Sequence, residues 1–283
     1  MNRFRRALKN KQLVIGSIIA LVIVVLGIFG PAIFGDYAKQ DLLRGHKPLG
    51  TSGAFFGTDA LGRSLAARAT FGIRISLLVA ISVTGLAMVL GTIIGLIAGY
   101  VKGVIDGVIS LLIDFIWGFP LILVAVLAAA SIGSGLLPVI FAVGLVNTVA
   151  IARVVRGEVL GISEKDFVVA AKAGGYSTMR IITKHIAPNV IPVALVLSSY
   201  YVAVAIIAEA ALSFVGLGAQ PPLPSLGQMV SEGRNYMRLN HWESTIPGVI
   251  IFAMVLSVSL IGDGLRDLLD PRLRTALERA RVK

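Results

Sequence analysis

The octet Gly57-Thr-Asp-Ala-Leu-Gly62-Arg63-Ser64 comes nearest to a nucleotide-binding motif in this chain. A phosphate-binding loop needs a lysine after its second glycine, a strand before it and a helix after it. Here arginine replaces the lysine and no buried strand precedes the octet, so nucleotide chemistry is not expected. His46, His185 and His241 are scattered, without a His-Glu-x-x-His pair or a serine–histidine motif, which argues against metal-assisted or nucleophilic hydrolysis. The chain has no cysteine, and so no thiolate site or disulfide framework. The ionisable residues that stand out are Asp114 and Glu209, each inside a long apolar run. A charge at the middle of a membrane span costs about 2.5–3.5 kcal/mol on insertion scales, so neither should face lipid.

Those runs set the architecture. Hydrophobic residues make up 56% of 283 and charged residues 14%, with a mean hydropathy of +0.88. A soluble domain holds nearer about 45–50% apolar residues. Apolar stretches fall at about Leu13–Gly35, Ile75–Val101, Val108–Ser131, Leu136–Ala152, Val190–Leu217 and Ile246–Leu265. About 20 helical residues cross a bilayer core, and lipid forces backbone polar groups to pair within the segment. The expectation is an all-α integral membrane protein with six transmembrane helices. Its parts are an amino-terminal segment 1–12, a first span 13–35, a loop 36–74, a five-helix core 75–268 and a tail 269–283. Within the core lie a charged loop 153–189 and a long loop 218–245.

The net charge of +11 fits basic loops on one face better than nucleic acid, because no aromatic-interleaved basic groove appears. The amino end carries Arg3, Arg5, Arg6, Lys9 and Lys11 without an acid, and is read as a retained anchor. With that end in the cytoplasm, most of the Lys and Arg residues fall on cytoplasmic segments and both termini lie inside. The loop before the second span weighs against this, holding Lys39, Arg44, Lys47, Arg63, Arg68 and Arg74.

The charged loop has its own logic. Ser163 and Asp166 suit a helix start, Gly174-Gly175 a helix end, and Ser177 a second helix that stops at Pro188. In that second helix Met179, Ile182 and Ile186 are expected to share a face. Ala170 and Ala171 on the surface of the first helix would let another backbone approach, with Phe167 as an apolar anchor and Lys172 at the rim. Spacing alone suits a helix resting on the membrane surface equally well.

Glu164–Asn189 resembles the coupling loop of ATP-binding-cassette importer permeases, with Val169, Ala170, Ala171 and Gly175 on the signature and Val169 where the family usually has Glu. Three further markers resemble the second permease subunit of the dipeptide, oligopeptide and nickel branch: Phe56–Leu77, Leu212–Met229 and Gly262–Arg274. Ser64 replaces the usual Asp there, and Leu226 the usual Trp. The resemblance implies a type I importer permease in a prokaryotic inner membrane that translocates peptides or related small solutes. It implies that Asp166, Phe167, Val169, Ala170, Ala171, Lys172 and Gly175 couple to a separate ATPase. The implied partners are a homologous permease, two ATPase subunits carrying ATP and Mg, and an external solute-binding protein. This chain itself would bind no cofactor or metal and would have no catalytic residue. The competing reading is an autonomous secondary transporter, although no internal repeat is visible.

Within the spans, Glu209 either lines the path or ties helices together, and Asp114 is expected to be structural, because Trp117 and Pro120 within two turns suggest a packed, kinked helix. Tyr200 and Tyr201 line the path or pack. Gly91, Gly95 and Gly99 form a face for close helix packing. Asp263 and Arg266 are spaced for a local ion pair.

Overall fold

The computed structural model describes residues 10–269. The extreme amino-terminal basic residues and nearly all of the tail 269–283 lie outside them. All six apolar runs are helical. The helices are α1 (Lys11–Phe34), α2 (Leu65–Val101), α3 (Gly103–Trp117), α4 (Leu121–Ile132), α5 (Leu136–Ser163), α6 (Asp166–Ala173), α7 (Thr178–Ile181), α8 (Ala187–Phe214), α9 (Leu226–Arg234) and α10 (Trp242–Leu269). A π turn, Ile182–Ile186, joins α7 to α8, so helix runs on from Thr178 to Phe214.

One expected span is broken. The run at 108–131 divides into α3 and α4, which meet at 91°. Pro120 has no amide to donate and disfavours helical geometry at Phe119. The fourth run, expected at Leu136–Ala152, belongs to a helix that continues to Ser163.

The centre is the pair α2 and α5, which run parallel with glycines at the seam. A Cβ at Gly91 would lie 2.7 Å from the Thr148 carbonyl, one at Gly95 2.6 Å from Val155, and one at Gly99 2.7 Å from Val159. Only hydrogen at these positions permits such close approach, which is how small residues join helices where lipid offers no hydrophobic drive. Around this pair, one buried cluster gathers Ile73, Val79, Val83, Val143, Ile206 and Met254. A second, at the other end of α2, gathers Tyr100, Val155, Val159, Val168, Ile181 and Ile186. Loop 36–64 therefore sits at the first end of the bundle and α6 at the second.

Candidate functional site

At the second end, Ser163 does not cap α6. Its hydroxyl donates to the Val159 carbonyl at 2.6 Å and ends α5 instead. Lys165 is the residue before α6, in an extended conformation without a side-chain cap, and its carbonyl accepts the amides of Val168 and Val169. Asp166 opens α6, where a carboxylate suits the helix dipole. The helix closes with Gly175 at φ +75°. The Tyr176 amide donates to the Ala171 carbonyl at 3.2 Å and the Gly175 amide to Lys172 at 3.0 Å. This paired closure needs a left-handed residue, hence glycine.

The two faces of α6 differ. Val168 and Ala171, three apart, are buried against the second cluster. Phe167 is 43% and Val169 52% exposed, and Asp166, Ala170 and Lys172 are exposed too. The expectation that both alanines face outward is corrected. Ala170 does, whereas Ala171 turns inward because helical spacing puts it in line with Val168. Lys172 holds its ammonium 5.0 Å from the Tyr100 ring centre, a cation–π contact to the end of α2.

The following helix also departs from expectation. Ile181 and Ile186 are buried while Met179 is 70% exposed, so the apolar face is shifted from the one read at Met179, Ile182 and Ile186. Pro188 does not end the helix. The amide of Ala187 reaches back to the Ile182 carbonyl in the wider π ladder, and the proline enters in the first turn after it, where a missing donor is tolerated. Asn189 donates its side-chain amide to the His185 carbonyl at 2.7 Å. Arg180 lies 4.2 Å over the Tyr176 ring, and Tyr176 stacks on His185.

The acids in the apolar runs fall in opposite settings. Glu209 is fully buried between α8 and α2. Ser76 donates to one carboxyl oxygen at 2.7 Å and Ser213 to the other at 2.8 Å, so this side chain joins two helices. Asp114 is exposed on α3 and pairs with Arg153 of α5, which also lies 5.4 Å over the Trp117 ring. Nearby, Arg156 binds Asp106 through two nitrogens at 2.5 and 2.8 Å, a forked contact that spacing did not reveal. Tyr200 is 63% exposed, whereas Tyr201 packs partly into the second cluster. Tyr200 looks into a cavity of about 650 Å³ between α8 and α10. Asp263 and Arg266 also line it, and among the described residues no ion pair joins them, contrary to their spacing.

At the first end the octet folds inward. Asp59 is buried and accepts the amides of Leu61 and Arg63, each at 2.9 Å, together with the Arg63 guanidinium at 2.7 Å and that of Arg68. Glu232 of α9 lies 2.8 Å from Arg68. The loop amides that a phosphate cradle would leave open are thus spent on its own carboxylate. His46 meets Glu243 at 2.7 Å, and Asn240 donates to the carbonyls of Lys47 and Thr58. Loop 218–245 is therefore tied to loop 36–64 rather than being a free connector.

A family described as the binding-protein-dependent transport system inner membrane component matches residues 91–275. The chain belongs to that family. The permease is 38% identical to the dipeptide transport system permease protein of Alkalihalophilus pseudofirmus, over 96% of this chain and 90% of that protein. It is 36% identical to the oligopeptide transport system permease proteins of Bacillus subtilis, over 97% of this chain and 89% of that one, and of Escherichia coli K12, over 95% and 90%. Its fold is that of a chain of the inward-facing MetNI methionine ABC transporter, with a TM-score of 0.56 at 21% identity over 70% of this chain and 95% of that one. The protein is accordingly a multi-pass membrane subunit of an ABC importer with the type I permease fold, and the autonomous transporter reading falls away.

Proposed function

We propose that this permease carries half of the path by which di- or oligopeptides enter a prokaryotic cell across its inner membrane, paired with a homologous permease. An external solute-binding protein delivers the peptide, and two separate cassette subunits hold ATP and Mg. What supports a peptide cargo is the set of relatives just named, which match nearly end to end. Both termini lie in the cytoplasm. The distribution of Lys and Arg favours this, and two of the six exceptions in the loop before the second span, Arg63 and Arg68, are spent on Asp59 and Glu232.

The two-faced α6 is the coupling element, and that asymmetry is the observation that carries the reading. Phe167, Val169 and Ala170 face outward for a cleft on the ATPase, while Val168 and Ala171 hold the helix to the base of the rod that runs from Thr178 to Phe214. Nucleotide-driven closure of the ATPases displaces α6, and the rod carries that displacement to the cavity wall at Tyr200. Transport then follows from the different affinities of ATP-bound and ATP-free motors for two permease conformations.

The test is the double substitution Phe167→Ala, Val169→Asp in the complete importer, in liposomes with binding protein and labelled trialanine. Removing an apolar anchor and placing a charge in the contact should weaken ATPase association about tenfold or more and abolish uptake. Thermal unfolding of the permease should not change, since both side chains are exposed. Unaltered association and uptake would reject the docking role.

A further inference from the structure

We infer that the cavity between α8 and α10 is a peptide-holding vestibule that reads both charged ends of its cargo, with Asp263 taking the ammonium and Arg266 the carboxylate. This rests on the peptide reading above and adds a site to it. The cavity, about 650 Å³, lies within the usual size for a small-molecule site. Its walls are apolar at Pro192 and Val196, with a hydroxyl at Ser259, the exposed Tyr200 ring, one acid and one base. Such a composition fits a zwitterion with a short apolar body better than an ion or a purely apolar solute.

Asp263 and Arg266 stand three residues apart on α10, where side chains emerge as neighbours. Yet neither carries an ion pair among the described residues. Elsewhere in the bundle Asp106 pairs with Arg156, Asp114 with Arg153, and Asp59 with Arg63 and Arg68. An acid and a base that share a cavity without closing on each other leave one acceptor and one donor fork for a ligand. Tyr200 offers a ring face to the ammonium end or to an apolar side chain. The wall bearing Tyr200 is the same rod whose base holds α6, so movement at the coupling end changes the width of this cavity.

The chain contains no cysteine, so Ser259→Cys gives a single reporter in this subunit. In the complete importer in nanodiscs, without nucleotide, a water-soluble maleimide should label that cysteine, read by the mass of this chain. Dialanine and trialanine should slow labelling. Blocking either peptide end by acetylation or amidation should raise the concentration needed for protection about tenfold, the worth of one charge-assisted hydrogen bond. Asp263→Asn should abolish the acetylation effect and Arg266→Gln the amidation effect, each leaving the other intact. Absence of protection, or protection indifferent to end-blocking, overturns the assignment. So does labelling that responds to replacing zwitterionic lipid with anionic lipid and not to peptide, since a lipid headgroup would then be the occupant. Uptake of labelled trialanine by the Ser259→Cys importer separates the two claims. Uptake without protection removes the vestibule alone, and failure to import peptide while other solutes pass removes the cargo class as well.

Discussion

The two ends of the bundle are held by different physics. At the first end, Asp59, Arg63, Arg68 and Glu232 form a knot in which Asp59 and Arg68 are nearly inaccessible, and His46, Asn240 and Glu243 add cross-links between distant loops. Directional contacts of that kind keep one geometry or fail. At the second end, α6 rests on Val168 and Ala171 against isoleucines and valines, with Lys172 over Tyr100 at the edge. Non-directional contacts of that kind allow small tilts at little cost. The first end suits a fixed mouth, and the second an element that is pushed and returns.

The sharpest way to break the contrast is Asp59→Ala. It leaves the Arg68 guanidinium, only 3% exposed, with Glu232 alone. Uncompensated buried charge costs about 3–5 kcal/mol, so the purified permease should unfold at a markedly lower temperature in detergent. A near-unchanged melting curve would mean that the knot contributes no rigidity. Next come two tryptophans at adjacent positions of α6. Ala171→Trp overpacks the inward face and should cost about 1–3 kcal/mol in the same unfolding assay. Ala170→Trp should leave unfolding within about 0.5 kcal/mol while stopping ATPase association. Equal effects of the two would erase the distinction between the faces. The smallest effect belongs to Glu232→Gln, whose side chain is 37% exposed. Screening by water should hold its cost to under about 1 kcal/mol, measured against Asp59→Ala.

Every apolar run proved helical because twenty greasy residues leave the backbone no other way to pair its polar groups. Hydropathy is blind to direction, however, so Pro120 announced a kink in the third run but not that the bend would reach 91°. In the charged segment after α5, Gly174-Gly175 marked the end of α6 because the left-handed closure is a local requirement. Ala170 and Ala171 are chemically identical, and only the packing of Val168 decides which of them faces out. Ser163 had two bonding options, and the continuing turn of α5 took it. Pro188 looked like a stop signal, but the π ladder before it absorbs the missing donor. The knot was hardest to foresee, because Asp59 and Glu232 lie far apart in the chain and nothing local announces their meeting.

The glycine seam between α2 and α5 has a mechanical corollary. With carbonyls seated where side chains would ordinarily keep the backbones apart, sliding one helix along the other would drive main chain into main chain. The two act as a single plank that can tilt but not shear. Any stroke that opens and shuts the path must then be spent on the hinge lines around that plank, chiefly between α8 and α10, where space already exists.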